Sequence, residues 1–280
     1  MCRFKSMILL KDSVFIPDYD HHQDMLAELK IEDNRKNAER LFVRVELSPT
    51  NGDVFSDIST WEYKADQDIL PSWYIEEVEK KRATEAVKEW ARTHIFVGQN
   101  NLELKEGGHY YIKDCKNVTI CDSATVKACD SATVEAWGSA TVKAWGSATV
   151  KAWGSATVKA CDSATVEACD SATVEAWGSA TVEACDSATV EAWGSATVKA
   201  CDSATVKACD SATVEACDSA TVKAWGSATV KAWGSATVFN SLYCTWRNKD
   251  TIILCDNATF KDNDTKTIYQ AGNWKLVIKG

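Results

Sequence analysis

Residues 121–238 are one eight-residue phrase written fifteen times, as Cys-Asp-Ser-Ala-Thr-Val-Lys/Glu-Ala or Trp-Gly-Ser-Ala-Thr-Val-Lys/Glu-Ala. A unit this short cannot bury its own apolar face, so the copies must stack and share one core. Numbered from Cys or Trp, positions 4, 6 and 8 are Ala, Val and Ala, and positions 3, 5 and 7 are Ser, Thr and Lys or Glu. That alternation has the period of a β-strand with Ala and Val pointing inward. Ala, Lys and Glu also favour helix, but the apolar positions do not follow a 3.6 period, and Ser, Thr, Val and Gly return in every copy. Asp or Gly at position 2, followed by Ser, supplies a turn. The expected fold is mainly β: a repeat β-solenoid of two octads (about 16 residues) per coil, preceded by a small α+β domain. Small inward residues suit a narrow two-sheet core.

Cys is always followed by Asp at position 2, and Trp by Gly. This reads as volume compensation inside one corner. Trp and Cys cannot exchange inside an Ala/Val core without overpacking or cavities, so position 1 is expected at the corner or outside. Trp137, Trp145, Trp153, Trp177, Trp193, Trp225 and Trp233 would then form an exposed aromatic series and a candidate binding feature. The plainer reading is that each ring covers the turn of the neighbouring coil. With two octads per coil, Cys169, Cys185, Cys201 and Cys217 fall in one unbroken column, ~4.8 Å apart. A cysteine that alternates with Trp is not half of a fixed bridge, and a spacing of eight is not that of a zinc ribbon.

The flanks have ordinary composition. Residues 1–110 read as the α+β domain, 111–240 as the solenoid and 241–280 as a C-terminal cap. Strands are expected over Arg3–Leu10, Ser13–Ile16, Leu41–Leu47 and Trp61–Ala65. The clearest helix runs from Pro71 to His94, with Ile75, Val78, Ala83, Ala86, Val87 and Trp90 as its apolar stripe. A shorter helix covers 21–30. The entry turn Cys115–Ile120 and the exit residues Phe239 and Phe260 replace octad residues with bulkier ones. Val118, Ile120, Phe239 and Phe260 are expected to be buried where the array meets its ends.

Candidate chemistry is sparse. Asp18, Asp20, His21, His22 and Asp24 cluster around one turn and could ligate a metal or act as acid and base. The alternative is a helix cap, with Asp20 as N-cap and Gln23 at N3. Asp66 and Asp68 could bind a cation or simply precede the long helix. His94 has no obvious partner in the sequence. No phosphate loop, nucleophile elbow or CxxC occurs, so no catalytic residue, metal or cofactor is assigned. The net charge of −9 and pI near 5.1 argue against direct nucleic-acid binding. No segment has the length of a signal or membrane span, which points to the cytoplasm.

The octad Ala-Trp-Gly-Ser-Ala-Thr-Val-Lys resembles the half-repeat of bacterial ice-nucleation proteins, whose 16-residue coils stack as β-solenoids. It departs where it matters: position 7 is Lys or Glu, where an ice-binding face carries a second Thr. The chain as a whole is similar to an uncharacterised family from phages and prophages of gut bacteria, which joins a short domain to variable numbers of Ala-Thr-Val repeats. The residues that carry the similarity are Phe4–Ser6, Val14–Asp20, Phe42–Leu47, Asp66–Asp68 with Pro71 and Trp73, and Tyr110–Cys115. That resemblance implies a phage-related setting and no particular activity. The expected function is a non-enzymatic structural or protein-binding scaffold with a protein partner. An acidic DNA mimic acting on a host nucleic-acid enzyme is the alternative, and an enzyme of undefined chemistry in the N-terminal domain is the second.

Overall fold

The computed structural model describes residues 4–105, 107–240, 251–255, 257–262, 267–270 and 276–279. The chain divides into two compact units, Met1–Phe96 and Val97–Gly280.

The first unit is a four-stranded antiparallel sheet with helices. Its strands are β1 (Lys5–Leu10), β2 (Val14–Phe15), β3 (Phe42–Ser48) and β4 (Glu62–Ala65), in the order β2-β1-β3-β4. Helix α1 spans His22–Glu28, α2 Arg35–Ala38 and α3 Glu76–His94. Both faces of β1 are covered: from Lys5 to Leu9 every residue is buried. On one face Ile8 and Phe42 pack with Met25 and Leu26 of α1. On the other, α3 lies across β1 and β3, and the Lys5 ammonium sits 4.9 Å from the centre of the Trp90 ring. Buried Lys5 donates to Pro17 O and to Asp20, which offsets the cost of burying its polar end.

Two expectations change here. Pro71 does not open α3: residues 71–74 form a turn closed by Tyr74 N donating to Pro71 O, and Ile75 is the N-cap. The buried stripe is therefore Glu79, Ala83, Val87, Trp90 and Ala91, while Ile75 and Val78 face solvent. Glu79 tolerates its place because Arg82 donates to it at 2.6 Å.

The second unit is a two-sided β-solenoid of about nine coils. Octads alternate between two parallel sheets, so each strand pairs with the one 16 residues on: Thr141, Val142 and Ala144 lie beside Thr157, Val158 and Ala160, and Thr165, Val166 and Ala168 beside Thr181, Val182 and Ala184. Identical residues stack with no slip, and Ala, Val and Ala at positions 4, 6 and 8 are buried throughout. The turns are laddered too, since Ser139 N donates to Asp122 O and Trp145 N to Ala128 O, one coil earlier.

Position 2 explains the Asp/Gly choice. It lies in the left-handed region in every octad, for example Asp162 at φ 58° and Gly154 at φ 69°. Asp and Gly are residues that accept this conformation. From Asp162 to Asp218 Asp adds a bond: its carboxylate accepts from the position-2 N–H of the coil before, as Asp170 does from Gly154 at 3.0 Å and Asp186 from Asp170 at 3.2 Å.

Solenoid strands begin ahead of residue 111. Glu103–Leu104 and His109–Lys113 already stack in parallel on Val118–Ile120 and Thr125–Cys129. They carry no octad, so repetition alone could not reveal them. At the far end, Thr251–Leu254 and Thr259–Asp262 continue the parallel sheets. Leu276–Lys279 and Thr267–Gln270 then close them with antiparallel pairing. Val118, Ile120 and Phe260 are buried as expected. Phe239 is not: it occupies the outward position 7, is half-buried, and lies under the Lys261 ammonium at 5.1 Å.

Candidate functional site

Position 1 falls between strands, at the corner. Trp137 and Trp177 are exposed, at 44% and 43%, and the other five tryptophans of the series are half-buried. Where tryptophans follow one another in a column they stack. Trp137 and Trp153 have centroids 4.3 Å apart, and Trp177 and Trp193 5.2 Å apart and nearly parallel. Lys127 lies over Trp145 at 4.6 Å and Lys231 over Trp233 at 5.3 Å. Much of the aromatic surface is thus spent on neighbouring coils.

The cysteine column is present and pairs two by two. Cys169 and Cys185 have sulfurs 2.6 Å apart, and Cys217 donates to Cys201 at 2.8 Å. The described cysteines are free thiols. Burial, followed by the neighbouring thiol, pushes Cys185 and Cys217 up to about 12. Asp186 and Asp218 sit close enough to join each pair as a third possible ligand.

Position 7 makes a ladder of mixed sign. Lys151–Glu167, Lys159–Glu175, Lys207–Glu191 and Lys231–Glu215 pair between coils at 2.5–3.4 Å. These exposed pairs add little stability each, but they leave neither face uniformly acidic.

In the N-terminal unit the clustered candidates disperse. Asp18 pairs with His94 Nε2 at 2.9 Å and accepts from Trp90 Nε1, which gives His94 the partner the sequence did not show. Asp20 is not a helix cap: it accepts from Lys5 Nζ and from Ser6 N, and the N-cap of α1 is His21, without a side-chain bond. His21 meets Asp24 at the surface. Only His22 turns inward, 6% exposed, with Nε2 3.3 Å from Val45 O. Burial lowers its pKa. Its Nδ1 lies 3.7 Å from Asp66 Oδ2, and Glu46 completes a group of three whose ligand atoms are within 4.8 Å of one another. Asp68 is not in that group. Glu46 was missed because β3 alternates like a half-buried strand, and its polar positions read as solvent-facing. Helices on both faces of the sheet bury that side as well.

No helix among the described residues is long and apolar enough to cross a membrane. Fold and corners together define a repeat β-solenoid protein with an N-terminal α+β unit. No family model, no curated protein and no solved structure matches the chain.

Proposed function

We propose that this protein is a non-enzymatic scaffold whose solenoid presents or spaces the N-terminal unit for a protein partner. One observation carries the reading. From Thr133 to Ala232 the outward strand positions repeat Thr and then Lys or Glu without a single departure, and variation is confined to Lys/Glu exchange and to the paired Cys-Asp/Trp-Gly choice at the corners. Catalysis needs convergent, differing groups, whereas a spacer or a repetitive docking face needs sameness. The stacked Trp137–Trp153 and Trp177–Trp193 pairs are the aromatic anchors such a face would use.

The DNA-mimic reading is weaker on charge. Residues 121–238 hold 8 Asp, 6 Glu and 8 Lys, hence 8 − 14 = −6, and the inter-coil Lys–Glu pairs break up the acidic ladder. The resemblance to phage and prophage proteins supports a setting in the host-cell cytoplasm. Position 7 argues against ice nucleation.

Affinity capture from host lysate tests the scaffold reading, using the full chain, a chain lacking 161–176, and residues 1–96 alone. The same partner should be retained by all three. Capture by the repeats alone, with none by residues 1–96, would defeat the spacer role.

A further inference from the structure

His22 comes from α1, Glu46 from the middle strand β3 and Asp66 from just past β4, and they meet on the face of the sheet that α1 covers. Val45 O can only accept, so the ring nitrogen facing it, Nε2, carries the hydrogen, and Nδ1 of the neutral ring is a lone pair. That lone pair faces a carboxylate oxygen, another acceptor. Glu46 is 3% exposed, and no described side chain donates to its carboxylate. Directly opposite it in the ladder, and so on the same face, stands Ser6. The Ser6 hydroxyl is fully buried and has no hydrogen-bond partner. Lys64 takes the other oxygen of Asp66 at 3.4 Å, and Arg44, whose charge reaches the His22 ring, is paired with Asp33.

Two carboxylates and an imidazole lone pair gathered around one position repel one another, and a cation placed among them offsets that cost. We infer that His22, Glu46 and Asp66 bind a divalent first-row metal ion. One imidazole and two carboxylates form a donor set for such ions. Val45 O fixes the ring orientation as outer-shell carbonyls do around metal-bound histidines. Half-exposed Asp66 (42% at its side chain) gives the entry path. In a tetrahedral arrangement two donors each ~2.1 Å from one ion stand ~3.4 Å apart, so these ligand atoms, all within 4.8 Å of one another, would close by up to about 1.4 Å on binding. The ion would fasten α1 and β4 to the middle strand, a role separate from anything the solenoid does.

The test uses the full chain, stripped with chelator and titrated with Mn²⁺, with free ion followed by electron paramagnetic resonance. Mn²⁺ is the probe because thiols bind it poorly, which keeps the cysteine column out of the readout. One ion per chain should bind, and saturation should raise the melting temperature. Asp66→Asn, at a surface position, and Glu46→Gln should each weaken binding about tenfold or more with an unchanged far-UV spectrum. Replacing Cys169, Cys185, Cys201 and Cys217 with Ser should leave it intact. If Glu46→Gln does not fold, Asp66→Asn decides alone. No saturable binding up to ~1 mM, a weak-site limit, would overturn the inference. So would equal affinity in the carboxylate variants, or binding that disappears with the cysteines.

Discussion

Oxidising the cysteine column probes the coil geometry directly. Diamide takes two electrons and two protons from a thiol pair, and the sulfur contacts name the pairs: Cys169 with Cys185, and Cys201 with Cys217. Each bond would close a loop spanning 16 residues, which in the chain-entropy account stabilises by about 3 kcal/mol. For a unit of this size that lifts the melting temperature by roughly 6–12 °C per bond. Because the thiolate attacks and the Cys185 and Cys217 thiols are pushed up to about 12, linking should speed up as pH rises from neutrality. The octads make the assay specific. Digestion after Lys and Glu gives Ala200–Lys207 and Ala216–Lys223 the same sequence, Ala-Cys-Asp-Ser-Ala-Thr-Val-Lys. Every other cysteine of the array gives a peptide ending in Glu, except Cys121, whose peptide starts at Asn117 and is heavier. A symmetric Lys-ended dimer in monomeric protein therefore reports Cys201–Cys217 alone. Bridging between sequence neighbours, Cys201–Cys209 or Cys209–Cys217, would give a mixed Lys/Glu dimer that vanishes in Cys209→Ser. Should that mixed species dominate, the 16-residue coil is wrong.

Three further outcomes follow from the same geometry. Deleting residues 161–176 removes one coil in register and should keep the β spectrum and solubility. Deleting 161–168 alone moves every later octad to the opposite sheet, and equal behaviour in sedimentation would contradict the alternation of sheets. Gly226→Ala places a Cβ 2.9 Å from Asp210 N at φ +79°; it should cost about 1–2 kcal/mol in urea unfolding, and a neutral result would mean the turn relaxes freely. A chain ending at residue 241 loses the antiparallel closing strands and should aggregate through its bare edges; a monomer by light scattering would refute the capping role.

The solenoid was legible because a period of eight, with inward Ala and Val, leaves few alternatives, and the stacking of Trp137 on Trp153 follows from position counting alone. The left-handed turn was not legible as such. Asp and Gly at position 2 read as volume partners of Cys and Trp, whereas their shared trait is tolerance of positive φ. Phe239 misled by its size: the strand's alternation overrides hydrophobicity and keeps position 7 outside. In the N-terminal unit, β1, β3 and α3 showed in their apolar periods. The inward turn of His22 toward Glu46 and Asp66 did not, since the three residues lie on separate elements and only tertiary packing brings them together.

From Asp162 to Asp218 the carboxylate of each position-2 Asp reaches back to the coil made before it, as Asp186 does to Asp170 and Asp202 to Asp186. The array is therefore directional. A chain emerging from the ribosome finds its docking edge already built, and every new coil recreates that same edge for the next. Contact partners stay 16 residues apart however long the array becomes. The loop-closure cost of adding a coil is thus the same for the last as for the first, and folding can keep pace with synthesis instead of waiting for the chain to end.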